Sequence, residues 1–358
     1  MAYTEKYVTT AGAGGHTGVD EANAWTMEEA CDNVADGQRV NVKANASYTT
    51  EYATGGVKDC VMYIVTAGTE VNGGIHWRGY HTTIGDGGIV TIDAQDALAN
   101  PALTAINGDV YNIFENFNFK QGTGAGFEGG NDDYMVFKKC RFGDNGTDGV
   151  NVDNYCRFVA CLAEINGTGS GFNSDTLSMF FACIAQNNGD DGFHAGSSAV
   201  FYNSLAYNNA AHDFSAVAGE GAVLGCSCDG ENAANDYGFY QDSATSSSYT
   251  VINNIFFDCD IGIKSDVDVL DWAISCFNVF DSSNTSDTNN WLTPSLGAAT
   301  PGVDGKGDIV DPGDPFDNSA GRIYTPVAAV QAKGLDAFWT QSFWADYNDG
   351  AGDNPPAE

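Results

Sequence analysis

The adjacent carboxylates Asp190 and Asp191 are the first residues in this chain whose types and spacing could do chemistry. Two carboxyl groups facing one sugar can cleave a glycosidic bond when one is held protonated and the other ionised. His212 follows Asp191 by 21 residues and His194 follows it by three, so an imidazole is within reach as a proton carrier. Asn151, Asn173, His194 and Tyr240 are side chains suited to bonding or stacking against a carbohydrate. Asp153, Asp175, Asp190 and Asp191 offer the hard oxygen ligands that calcium takes. The plainer role of every one of these residues is a turn cap or a solvated strand surface. No cofactor is required by the pattern, and calcium is an ion its aspartates could accept.

Composition narrows the partners. Forty-eight acids against 14 bases give the 358-residue chain a net charge of -34, which repels nucleic-acid backbones and anionic membrane surfaces. A 43% hydrophobic content is enough for a large core, so the acidity belongs to the surface rather than to disorder. The N-terminal residues show no basic-then-apolar export pattern, and no apolar run reaches membrane-spanning length. On that reading the ten cysteines are expected to be reduced and buried.

What positions these residues is a repeat. Phe117, Cys140, Cys161, Cys183, Ser204, Cys226, Asn254 and Cys276 form one column, in steps of 21 to 23 residues with a single step of 28. The long step coincides with the polar stretch from Ala244 to Ser248, an insertion looped out of a stack. Gly126-Phe127, Gly149-Val150, Gly171-Phe172, Gly192-Phe193, Asp213-Phe214, Gly238-Phe239 and Gly262-Ile263 give a second column in the same register. Each unit holds short β-rich stretches separated by turns such as Asn145-Gly146, Asn166-Gly167 and Asn187-Asn188-Gly189, with no helical period. Coils of about 22 residues built this way must stack in parallel, like residue above like residue, as a β-helix. The cysteine column then reads as an inward thiol ladder: stacked parallel Cβ vectors suit disulfide torsions poorly, and a straight line of thiols does not converge on a metal.

The reading divides the chain into an N-terminal lead-in and cap (1–75), parallel coils (76–284) and a C-terminal cap with an acidic tail (285–358). Thr26-Met27-Glu28-Glu29 is a capping-box pattern that opens a short helix to about Val34, ahead of a strand at Arg39 to Val42. Phe338, Trp339, Phe343, Trp344 and Tyr347 supply an aromatic lid at the other end.

These segments, with Tyr7-Val8-Thr9-Thr10 at the start and Asp311-Pro312, Gly321, Thr325-Pro326 and Lys333-Gly334 near the end, resemble the right-handed parallel β-helix proteins of the pectate-lyase-like superfamily. The resemblance implies an all-β solenoid. It leaves the activity open, since such proteins include polysaccharide lyases, glycoside hydrolases, adhesins and bacteriophage tailspikes. Asn173-Ser174-Asp175, Asp190-Asp191 and His212 are similar to polygalacturonase motifs. Here, however, Asp175 and Asp190 are 15 residues apart, Asp213 rather than glycine follows His212, and no Arg-x-Lys occurs. Asn188 to Phe193 is also similar to a calcium-binding turn of one polysaccharide-lyase family, which would make Asp190 and Asp191 ligands. No lysine stands at the matching catalytic positions, and Lys264 is three coils away.

The expectation from sequence is therefore a non-enzymatic bacteriophage virion surface protein (a capsid decoration, fibre or tailspike component) that attaches to capsid or tail proteins and recognises surface glycans. Tailspike relatives imply a homotrimer. The alternatives are a secreted, extracellular polysaccharide lyase or glycoside hydrolase, and a cell-surface adhesin.

Overall fold

The corners of the coils carry the strain that lets so short a repeat close on itself. In the computed structural model the non-glycine residues Lys139, Ala160 and Ala182 have positive φ at one corner, Asp144, Ile165 and Asn187 at the next, and Tyr134, Tyr155, Leu177 and Ser198 at the third. Each left-handed residue costs about 1–2 kcal/mol. The same residues donate their backbone N–H to the coil above, Lys139 to Val159 O at 2.9 Å, Asp144 to Glu164 O at 3.1 Å and Tyr155 to Thr176 O at 2.9 Å. The bent corners are thus tied into the ladder that the strands form.

The structure describes residues 3–52, 60–70, 73–96, 101–105, 108–109, 111–129, 132–230, 236–242 and 248–265. Beyond these it describes only 274–276, 278–280, 286–289, 309–310, 316–318 and 323–326. The expected aromatic lid and acidic tail lie outside the described residues, as do Ala244 to Ser247 of the expected insertion. The chain divides into two units, Met1–Ala199 and Val200–Glu358.

In the first unit three parallel faces run up the stack. The first face comprises Thr4–Val8, Gln38–Lys43, Ile75–Tyr80, Asn112–Glu115, Val136–Lys138, Arg157–Val159 and Met179–Phe181. The second comprises Val90–Asp93, Phe117–Lys120, Arg141–Gly143, Leu162–Glu164 and Ile184–Gln186. The third comprises Met62–Ile64, Leu103–Ala105, Phe127–Gly129, Val150–Val152, Phe172–Thr176 and Phe193–Ser197. The coils wind as a right-handed parallel β-helix, the sense in which parallel crossovers almost always run. Two strands of the first face, Thr4–Val8 and Gln38–Lys43, already lie within the expected lead-in segment, paired from Thr4↔Gln38 to Val8↔Val42.

One α-helix is present among the described residues, Met27–Asn33, with the expected capping box: Thr26 accepts from Glu29 N, and the Glu29 side chain accepts from Thr26 N. It buries Met27, Ala30 and Cys31 and lies against Met62–Ile64.

Like residues stack inside. Phe114, Phe137, Phe158 and Phe180 form a continuous pile with successive ring centroids 5.6, 5.0 and 5.0 Å apart. Phe172 and Phe193 stack at 4.9 Å on the third face. Cys140, Cys161 and Cys183 sit at the corner between the first and second faces, and they are among nine cysteines that are buried as thiols outside any disulfide. Burial pushes the Cys140 and Cys183 thiols well up, so they remain protonated.

The asparagines read as turn residues form a second ladder at the corner between the second and third faces. Asn145 Nδ2 donates to Asn166 Oδ1 at 3.0 Å, and Asn166 Nδ2 donates to Asn188 Oδ1 at 2.8 Å. All three are nearly fully buried, and Asn166 also donates to Phe142 O.

The second unit repeats the plan, with Val200–Tyr202, Glu220–Leu224, Ser248–Ile252 and Ile274–Cys276 on one face, Leu205–Tyr207, Ser227–Asp229, Ile255–Phe257 and Val279–Phe280 on the next, and His212–Ala218, Tyr237–Gln241 and Ile261–Ser265 on the third. Its register corrects the sequence column at one point. Ile252 pairs with Cys276, so Asn278, not Cys276, stands over Asn254. Asn254 Nδ2 donates to Asn278 Oδ1 at 3.0 Å, replacing the thiol ladder with an amide ladder. The two-residue slip is invisible to an alignment that follows residue type.

Replacing Asn166 by alanine removes the side-chain acceptor of Asn145 and the side-chain donor to Asn188 and to Phe142 O in a buried ladder. We expect a loss of about 2–4 kcal/mol, read as a lower urea midpoint at unchanged m-value.

Candidate functional site

The third face of the first unit brings its outward residues into one column because strand alternation points every second side chain away from the core. Phe127, Val150, Phe172 and Phe193 fill the interior, and Glu128, Asn151, Asn173 and His194 stack outside them in register. They line an open cleft of about 350 Å³ together with Asp153, Asp175 and Gly196. Gly196 admits the Asp175 carboxylate, since a Cβ there would meet Asp175 Oδ1 at 2.2 Å.

Hydrogen bonds fix the column. Asn151 Nδ2 donates to Glu128 Oε1 at 2.9 Å. Asn173 bonds the Asp148 carboxylate, which also accepts from Ser170 N at 2.7 Å. His194 Nδ1 lies 3.0 Å from Asp191 Oδ2, and because an ionised carboxylate only accepts, the imidazole donates there and turns Nε2 away from this bond. Asp191 is almost wholly buried, whereas the imidazole is one-third exposed.

Burial raises the Glu128 carboxyl above its ordinary range, against the Asn151 hydrogen bond, and the Asp148 charge adds to the rise. Burial likewise raises Asp148, and burial with the Asp191 charge raises Asp190. The hydrogen bond to Asp191 raises His194, opposed by burial and reinforced by the charges of Asp191, Asp190 and Asp148. The cleft therefore combines carboxyls that hold protons longer than usual with an imidazole that stays charged longer than usual.

Of the residues picked from sequence, Asn151, Asn173, His194, Asp153 and Asp175 line this cleft, and Asp190 and Asp191 border it at the start of the strand row. His212 and Tyr240 belong to the second unit. There the His212 ring stacks on Tyr237 at 4.6 Å and tilts against Tyr240 at 4.4 Å. Lys264 Nζ lies 4.2 Å from the Tyr237 ring centroid and donates to its hydroxyl at 3.0 Å. The imidazole bonded to Asp191 in the first unit is that of His194.

The aspartates expected as calcium ligands fall into two groups. Asp153 and Asp175 end the strand row, while Asp190 and Asp191 precede it, and the five residue steps from Asp191 to the level of Asp175 span about 16 Å. Among the described residues no three His, Cys, Asp or Glu side chains converge as ligands of one ion. The donor set does not fit one calcium shared by all four aspartates.

The repeat places Glu128 in the outward polar column with Asn151, Asn173 and His194 without marking it as an acid, and Asp148 is the residue that motif reading misses. Asp148-Gly149 stands two coils before Asp191-Gly192 in the same column, so the repeat itself held the signal for Asp148.

No protein-family model matches the chain, and no curated protein does. Among solved structures, pectate lyase Pel9A is similar, with a TM-score of 0.57 at 15% identity over 82% of this chain and 81% of that one. A rhamnogalacturonan lyase matches with a TM-score of 0.43 at 16% identity over 80% of this chain and 74% of that one. A pectin methylesterase from Aspergillus niger matches with a TM-score of 0.45 at 14% identity over 85% and 94%. At these identities the shared feature is the parallel β-helix.

The raised His194 adds stability that is fully present below its ordinary value of 6.5 and is lost as pH rises through its elevated value in the folded state. Thermal melts from pH 6 upward should show this loss in the natural protein and much less of it in Asp191→Asn. Equal slopes in the two proteins would show that the pair carries no such linkage.

Proposed function

We propose that the protein is a polysaccharide-processing β-helix whose cleft on the third face of the first unit hydrolyses a glycosidic bond. The observation that carries this reading is the juxtaposition, in one open cleft, of a proton-retaining carboxyl at Glu128 with an ionisable carboxyl at Asp153. Glu128 is level with Asn151, and Asp153 is two residues further along that strand, which separates the two backbones by about 8 Å. Backbones at that spacing can carry two carboxyls to opposite sides of a sugar ring with a water between them, the arrangement of an inverting hydrolase.

Glu128 gives its proton to the glycosidic oxygen as the bond from that oxygen to the anomeric carbon breaks. Water adds to the anomeric carbon and passes a proton to Asp153, so one water is consumed and one reducing end appears. Exchange with solvent restores the two protonation states. His194, held by Asp191, presents Nε2 to a sugar hydroxyl, and the Asn151 and Asn173 amides supply further donors and acceptors along the column. Hydrolysis is favoured over β-elimination because elimination draws on a lysine or arginine base, and neither lines this cleft among the described residues.

The names of the similar structures, a pectate lyase, a rhamnogalacturonan lyase and a pectin methylesterase, support a polysaccharide-directed role, and none of them is a virion protein. The virion role expected from sequence rests on composition and the absence of an export pattern, and the cleft adds nothing to it. Extracellular action on a polysaccharide is accordingly the reading adopted.

Glu128→Gln keeps the shape and hydrogen-bonding capacity of the side chain but cannot deliver a proton. Its hydrolysis rate on a susceptible polysaccharide should fall by about 10²–10⁴-fold with binding retained. Proton NMR of the first product formed by the natural protein should show inverted anomeric configuration. Unchanged activity of Glu128→Gln would remove this residue from the mechanism.

A further inference from the structure

We infer that the cleft is built for a glycan bearing free amino groups, a polymer of cationic amino sugars, rather than for a uronate polymer. The inference rests on the polysaccharide-processing reading and names its substrate class.

The first ground is the placement of the described lysines and arginines of the first unit, all of which lie off the strands of the third face. On the first face Arg39 pairs with Glu5 at 3.2 Å, and Lys43 pairs with Glu21. Arg78 donates to Asn41 at 2.8 Å, and Lys138 lies in the field of Glu115. On the second face Lys120 pairs with Asp93 at 3.2 Å and Arg141 pairs with Glu164. The described strands of the third face carry no lysine or arginine, and their one ionisable base is His194, which is bonded to Asp191.

The second ground is the cleft itself. Glu128, Asp153 and Asp175 line it, and Asp148, Asp190 and Asp191 stand at its edge. A uronate polymer would bring one more carboxylate per sugar into this field with no cation to receive it, whereas an ammonium group on each sugar would meet a carboxylate. The spacing fits as well. Asp153 and Asp175 are one coil apart, Asp175 N bonding Asp153 O at 3.4 Å, and the coil rise of about 4.8 Å is comparable to the length of one pyranose unit. Successive amino sugars lying along the stack would each place a nitrogen near one of these carboxylates. The Asn151 and Asn173 amides, which alternate with them, face the neutral hydroxyls.

The test uses the full chain and calorimetric titration at about pH 6, where a sugar amine is protonated. The probes are a glucosamine oligomer, its N-acetylated counterpart, a neutral glucose oligomer of equal length, and an oligogalacturonate with and without calcium. The glucosamine oligomer should bind at least about tenfold more tightly than every other probe. Its affinity should weaken as salt screens the contact and should fall about tenfold or more in Asp153→Asn/Asp175→Asn. Circular dichroism of that variant checks that it is folded.

Binding of the neutral or N-acetylated oligomer as tightly as the amine form, with loss in Asn173→Ala, would overturn the amino-sugar inference and leave the cleft as a glycan site. Tighter oligogalacturonate binding, with or without calcium, would overturn it in the same way. Failure of every probe to bind would overturn both the inference and the polysaccharide reading on which it rests.

Discussion

Everything in this protein depends on in-register stacking, in which each coil sets its backbone and its side chains directly over those of the coil below. The parallel ladder alone would tolerate a slip along the strand direction. The asparagine series does not, because Asn166 must meet Asn145 below and Asn188 above with its one amide group, in a place from which water is excluded. A slipped coil would leave several buried amide groups unpaired, at roughly 1–3 kcal/mol each. Stacked phenylalanines add bulk to the same register without adding direction. The left-handed corner residues are tolerated because their N–H groups enter the ladder, so local strain and inter-coil bonding are two sides of one arrangement.

That register also makes the cleft. A side chain on the outer surface of a β-helix has neighbours above and below it that are fixed by the repeat, so Glu128, Asn151, Asn173 and His194 form a row whose spacing the backbone dictates. The row is rigid before any ligand arrives, which lowers the ordering cost of binding. Its electrostatics follow from the same crowding. Burial raises Glu128, Asp148 and Asp190, neighbouring carboxylate charge adds to the rise at Glu128 and Asp190, and the bond to Asp191 draws the His194 imidazole toward its charged form. Arg39, Lys43, Lys120 and Arg141 of the first unit pair with acids on or beside its other two faces. Charge is therefore segregated by face, and the face left acidic is the one with a cleft.

The β-helix was legible in the sequence because its cause is periodic. A repeat of about 22 residues writes the same demand into every coil, so the phenylalanine column, the thiol column and the outward polar column could be read without coordinates, as could the Thr26–Glu29 capping box, which is a purely local pattern. The substitution of Asn278 for Cys276 over Asn254 escaped that reading, since residue type favoured the cysteine and only backbone pairing reveals the two-residue offset.

The site was legible only in part, for a related reason. Sequence spacing places residues on a face but says nothing of which carboxyl is buried or which partner an imidazole takes. Asp190, Asp191 and His194 were visible as chemistry-bearing types, whereas the bond from His194 to Asp191, the contribution of Asp148 and the desolvation of Glu128 arise from packing between coils. Sequence by itself determined the solenoid, its register through most of the stack and the polar character of the outer column, because each follows from a repeating local rule. Tertiary structure alone decided where unneutralised charge collects and which carboxyl keeps its proton, because desolvation and Coulomb interactions act between residues that only the fold brings together.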